Sequence, residues 1–281
     1  MNEVQAFVLE GRGVRGALVR LQETWQQVIA RHVYPAELKR LLGEGVAATV
    51  LLASGLKHKP KVSLQLQGDG PVRLLLVQCT DDLRVRGMAH CAEYTAGQSL
   101  LGEGRLVVNL DTGPRHGRFQ GVVPLTSARL GICLEDYFRQ SEQLATRLIL
   151  KSTERNAAGL LLQALPDEAP LSEDFEQAAE LAQEVDGDDL LAAPAAELLP
   201  RLFASYDIRL FEPRPVLHDC RCTPDRIAGI VRMLGATEVE ELLADRGYVE
   251  LTCEFCNRTF RYDERDTAAI LRGETRSTRL H

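Results

Sequence analysis

The chain has 281 residues, 45% of them hydrophobic and 26% charged, with a formal net charge of −7. At ~150 residues per domain, this suits about two domains with real cores and excludes wholesale disorder. The net acidity argues against generic binding to nucleic acid or anionic membranes. The longest apolar run, residues 46–56, is eleven residues long. A membrane span needs ~20, so none is expected. The opening MNEVQAFVLE lacks a basic n-region and an apolar h-region. No export signal is expected, and the expected location is the cytoplasm.

In chain order, the first half alternates between two periods. Residues 4–9 and 14–21 read as strands, 24–32 as a short helix, and 35–56 as a long helix opening on Pro35. Gly43 and Gly45 either weaken that helix or mark close packing. Strands follow at 62–67, 72–79, 83–89, 106–110 and 119–123, punctuated by GDGP (68–71) and DTGP (111–114). A helix is expected over 130–144, and strands at 148–150 and 159–165 close the sheet. Strands grouped with a few helices predict an α+β domain with a mainly antiparallel sheet.

Residues 167–200 carry eleven acids and no base, whereas the residues before them are mildly basic. Leu171, Phe175, Ala178, Ala182 and Val185 fall on one helical stripe, and 190–199 resume the pattern after DGDD (186–189). Two amphipathic helices are expected. Like charges without a basic partner in the segment make them poor free-standing helices. The simplest reading is a solvated linker that spaces two domains; the other is a segment docked on the basic body.

The rest is a small cysteine module. Helices are expected at 224–234 and 238–244, then a hairpin of 248–252 and 259–262 with residues 253–257 at its tip. Four of the seven cysteines lie here, as Cys220-x-Cys222 and Cys253-x-x-Cys256. Two close thiol pairs from distant segments suit tetrahedral zinc, which would staple a module too small for a robust core. An iron–sulfur cluster and metal-free thiols are the alternatives. A CxC disulfide is strained and easily reduced, which suits a reversible switch. A permanently structural site fits the spacing equally well. His218 reads as an ordinary or supporting histidine, Cys79, Cys91 and Cys133 as small apolar groups, and Trp25 as core. No phosphate loop, G-x-S-x-G or dinucleotide fingerprint is present, so no catalytic residue is expected and the chain does not read as an enzyme.

HDCRC (218–222) followed by CEFC (253–256) resembles the heat shock protein 33 family, the redox-regulated holdase chaperones. The likeness continues through His32-Val-Tyr34-Pro35 with LLGE (41–44), QLQGDGP (65–71), VRG (85–87), FQGVVPL (119–125) and YFRQSEQLATRL (137–148). Ala145 stands where the family pattern has proline. The likeness is weakest over 167–200.

The resemblance implies one zinc ion per chain in the reduced state, held by Cys220, Cys222, Cys253 and Cys256, with chaperone activity low. It implies that oxidants form the disulfides Cys220–Cys222 and Cys253–Cys256, that the metal leaves, and that module and linker lose structure. The exposed surface then binds unfolding client proteins without ATP, as a homodimer when active, and clients pass to ATP-dependent foldases. It names no client-binding residues. The domain division is 1–165 (core chaperone domain), 166–214 (acidic helical linker) and 215–281 (zinc-binding redox switch). The fold class is α+β: an N-terminal mainly antiparallel sheet with packed helices, a helical linker and a small zinc-binding α+β module. The competing readings are a zinc module that binds nucleic acid and a dithiol oxidoreductase using CEFC. The module's slight acidity counts against the first, and the hairpin setting of CEFC counts against the second.

Overall fold

Residues 1–56, 61–93, 100–113, 117–165 and 173–274 are described by the computed structural model. The chain divides into two units, Met1–Asp219 and Cys220–His281. The first unit begins with β1 (Asn2–Leu9), β2 (Val14–Leu21), α1 (Glu23–Ile29) and α2 (Ala36–Ser54). Next come β3 (Lys61–Gly68), β4 (Val72–Cys79), β5 (Arg84–Cys91), β6 (Gly104–Asp111) and β7 (Arg118–Pro124). Then follow α3 (Leu130–Tyr137), β8 (Thr146–Ser152), β9 (Ala157–Ala164), α4 (Glu173–Gln183), α5 (Gly187–Ala192) and α6 (Ala195–Leu202). Three short strands, β10 (Ile208–Leu210), β11 (Arg214–Pro215) and β12 (Leu217–His218), end the unit.

The expected single sheet is two. One runs β10-β1-β2-β9-β8, with β11 also on β1, and is antiparallel throughout. The other runs β12-β5-β4-β3-β6-β7 and is antiparallel except for β12 on β5. Helix α2 lies between them and packs on both. That explains a helix that is apolar on every side: Leu38, Leu42, Val46, Ala47, Ala48, Val50 and Leu51 are all buried. Gly43 and Gly45 mark close packing, since a Cβ on Gly43 would lie 2.0 Å from the Ser152 hydroxyl.

The strands record how many of their faces are covered. β3 buries alternate residues, as a strand covered on one side does. β9 buries all eight, because the first sheet is covered on both sides. Its second face packs against the acidic segment: Val14, Leu18, Leu160 and Leu162 meet Phe175, Ala178, Ala182, Leu190, Leu198 and Phe203. The segment is therefore no solvated spacer. It docks through its apolar stripe, helped by the exposed pair Arg12–Asp174 at 3.0 Å. It also holds three helices rather than two, because Pro194 ends one and opens the next. Leu171 lies outside the described residues. The helix expected over 130–144 stops at Tyr137, continues as a π-turn over Phe138–Glu142, and ends at Gln143 with φ 55°.

The carboxyl of Glu44 on α2 is pushed up to about 7 by burial, against the pull of Arg129, Arg40 and Lys151. Between its ordinary value of 4.5 and 7 the folded chain keeps a proton there that the unfolded chain gives up. Stability therefore falls as pH rises through this window and stays reduced above it. Glu44→Gln is expected to stabilise the protein by ~1–3 kcal/mol at pH 8 and by almost nothing at pH 4. Urea unfolding at the two pH values checks this; an equal effect at both would mean the carboxyl is not shifted.

The second unit comprises α7 (Pro224–Leu234), α8 (Ala236–Arg246), the hairpin β13 (Val249–Thr252) and β14 (Thr259–Tyr262), and α9 (Glu264–Leu271). Helix α9 was not expected from the sequence. Its signal is a capping box in which Asp263 and Asp266 each accept the other's backbone N–H. No helix among the described residues is long and apolar enough to cross a membrane.

Candidate metal centre

Two local devices bring four sulfurs together. Arg221, between Cys220 and Cys222, takes a left-handed φ of 55°. The chain turns there and enters α7 through Thr223, whose hydroxyl accepts the Arg226 N–H at 3.3 Å. At the hairpin tip the Asn257 N–H donates to the Cys253 carbonyl at 2.7 Å, and the Cys253 N–H donates to Arg258 O at 2.9 Å. Asn257, with φ 53°, tolerates the left-handed corner that this needs.

The Sγ atoms of Cys220, Cys222, Cys253 and Cys256 all lie within 4.8 Å of one another. Cys220 and Cys253 are 3.4 Å apart, and Cys222 and Cys256 are 3.3 Å apart. Sulfurs ~2.3 Å from a tetrahedral centre lie ~3.8 Å from each other. The cluster therefore fits a metal ion. It is also part of the module's core: Cys222 and Cys256 are buried with Ile227, Val231, Val239, Phe260, Tyr262 and Ile270.

The electrostatics point the same way. Burial and the neighbouring thiols push the Cys220 thiol far up, and burial with Cys256 pushes Cys222 up to about 11. Cys253 moves the other way. Burial pushes it up, but the backbone N–H groups of Cys256 and Phe255 and the thiol of Cys220 outweigh that and hold it low. Four sulfurs packed this closely do not ionise together unaided; a cation among them supplies the missing stabilisation.

Other sequence candidates fall elsewhere. His218 sits on β12 with Nε2 buried and without a hydrogen bond, and is not among the clustered ligands. Cys79 is buried and pushed up to about 12, chiefly by burial. Cys133 is buried, with Sγ 3.3 Å from Ser127 O, and Cys91 is half-buried at a strand end. Trp25 is fully buried and donates to Thr153 O at 3.0 Å. The four module cysteines are the only group of three or more metal-type ligands gathered among the described residues.

Comparison with known proteins agrees over nearly the whole chain. The family model described as Hsp33 protein matches residues 2–263. A 33 kDa chaperonin of Shewanella sp. (strain MR-4) is 40% identical over 275 residues, covering 96% of each chain. One from Serratia proteamaculans is 38% identical and covers 100% of this chain and 99% of its own. The crystal structure of a 33 kDa chaperonin from Thermotoga maritima superposes with a TM-score of 0.84 over 97% of this chain, at 22% identity, so that likeness concerns the fold. By sequence over its full length and by fold, the chain belongs to the Hsp33 family.

Proposed function

We propose that this protein is an ATP-independent holdase of the cytoplasm, inactive when reduced and activated by oxidation of its cysteine cluster. It acts by binding unfolding proteins rather than by catalysis. The observation that carries this is the four-sulfur cluster built into the core of the second unit. A structural switch needs its trigger to be a folding determinant, and here trigger and core coincide.

In the reduced state zinc, when bound, holds the four thiols as thiolates and ties Cys220 and Cys222 to Cys253 and Cys256. Two thiolates lose two electrons to an oxidant such as hypochlorous acid, which is reduced to chloride and hydroxide, and an S–S bond forms. Disulfides Cys220–Cys222 and Cys253–Cys256 together remove all four donors. The left-handed turn at Arg221 supports the first pairing, because it curls the chain between the two cysteines. With the donors gone, the second unit loses its staple.

The 1–165, 166–214 and 215–281 division then acquires a mechanical meaning. Residues 208–218, which lead into Cys220, are held by strands of only three, two and two residues. Fraying from the module runs into these weak strands first, and then reaches the docked acidic helices. Their release uncovers the apolar face of β2 and β9 for clients, while the carboxylates keep the complex in solution. Active molecules form homodimers and hand clients to ATP-dependent foldases.

The test follows metal and activity together. The reduced protein is expected to carry one zinc per chain. Hypochlorite should release it in step with suppression of aggregation of a denatured client. Peptide mapping should then find the two near-neighbour disulfides. Zinc retained under oxidation, or activity indifferent to redox state, would leave a structural zinc site and sink the switch.

A further inference from the structure

Where α2 ends at Ser54, the two sheets of the first unit lose the helix that fills the space between them. A cavity of about 390 Å³ opens there, within the ~300–1,000 Å³ of ordinary small-ligand sites. Its walls are apolar: Val8, Leu51, Val108, Phe138, Leu161 and Phe211 line it. The π-turn over Phe138–Glu142, an uncommon element often found at functional sites, forms part of the wall.

Among the described lining residues one cation, Arg15, is built in. Arg15 donates through Nε and Nη2 to Gln163 Oε1 at 3.2 and 2.6 Å, and through Nη1 to the Gly55 carbonyl at 3.3 Å. Gln163 is itself buried and fixed by its bond to the Thr146 hydroxyl at 3.0 Å. All of these partners are neutral. They hold the guanidinium in place without cancelling its charge, and no carboxylate ion-pairs with Arg15 among the described residues. Three of its five N–H groups are used, which leaves one on each terminal nitrogen. That pair suits the two oxygens of a carboxylate. The only acid among the described lining residues, Glu142, accepts the Tyr137 hydroxyl at 3.0 Å.

We propose that this cavity binds an amphipathic monoanion of the free fatty acid class, with the carboxylate on Arg15 and the chain along the apolar walls. An uncharged apolar side chain would fill the walls but leave the guanidinium unmet. A medium-chain acid satisfies both.

Isothermal titration of the full reduced, zinc-loaded chain with decanoate, decanol and decyltrimethylammonium tests this. Decanoate is expected to bind one per chain, with a Kd on the order of tens of micromolar. Arg15→Met, which keeps the apolar stem, should weaken decanoate at least about tenfold and leave decanol unchanged. Ala6→Trp, at an exposed position on the rim, should exclude all three. Absence of decanoate binding up to ~1 mM, well over ten times the expected Kd, would overturn the proposal. So would equal affinity for the cationic probe, or an Arg15→Met chain that binds decanoate as well as the parent. None of these readouts depends on chaperone activity.

Discussion

Cys256→Ser is expected to unfold residues 220–274 and to loosen 208–218 and the docked α4–α6, while the two sheets of the first unit stay native. Hydrogen exchange should show β13, β14 and α7 losing protection together, with β3, β4 and β9 unchanged. The second unit has one small apolar cluster, and two of its fully packed members are ligand cysteines. A core of this size rarely supplies more than ~3–5 kcal/mol, against ~10–16 kcal/mol from a structural zinc site. Removing one donor therefore removes most of what keeps the unit folded. A strong chelator should reproduce the effect without mutation. Acid should do so as well: the thiolates must protonate to leave, so affinity falls as pH falls. Undiminished protection in both the variant and the chelated protein would show that the module folds on its packing alone. The cluster would then be incidental to stability, and oxidation would have nothing to release.

The site was legible in the sequence because its chemistry is carried by residue type. Two cysteine pairs 30 residues apart announce four donors wherever the chain places them. The device that aims the first pair was not legible, because Arg221 is not a residue chosen for a left-handed corner. In the fold, the period of two exposed most strands, and one turn of unusual chemistry, GDGP, marked a connection correctly. The second sheet was hidden. Its only signal was α2, whose apolar residues occupy every face and so require cover from two sides. β10, β11 and β12 are too short to show any period. The acidic segment displayed its stripe, but its partner was concealed. The docking face belongs to β9, where burial on both sides erases alternation and leaves a plain apolar run.

That docking face carries the other large effect. Phe203 is fully buried, its ring 5.6 Å from that of Phe7 and edge-on to Tyr206 at 6.5 Å. Truncating such a side chain costs ~3–5 kcal/mol. The cost falls on a segment with little in reserve. Residues 173–202 carry nine acids, and the cations that meet them among the described residues are few: Arg12 on Asp174, and Arg201 on Asp189. Mutual repulsion of the carboxylates already opposes the docked state, so its local free energy lies well below that of the whole unit. Phe203→Ala is therefore expected to release α4–α6 with the metal centre intact. Protection over 173–202 should fall, and the reduced, zinc-loaded variant should suppress client aggregation without any oxidant. Phe203→Leu, which keeps most of the apolar volume, should behave nearly as the parent. Activity without oxidant would place the client surface beneath the acidic helices and make the cysteine cluster a remote latch. Release without activity would separate the two, and would assign client binding to surface that only the unfolded second unit provides.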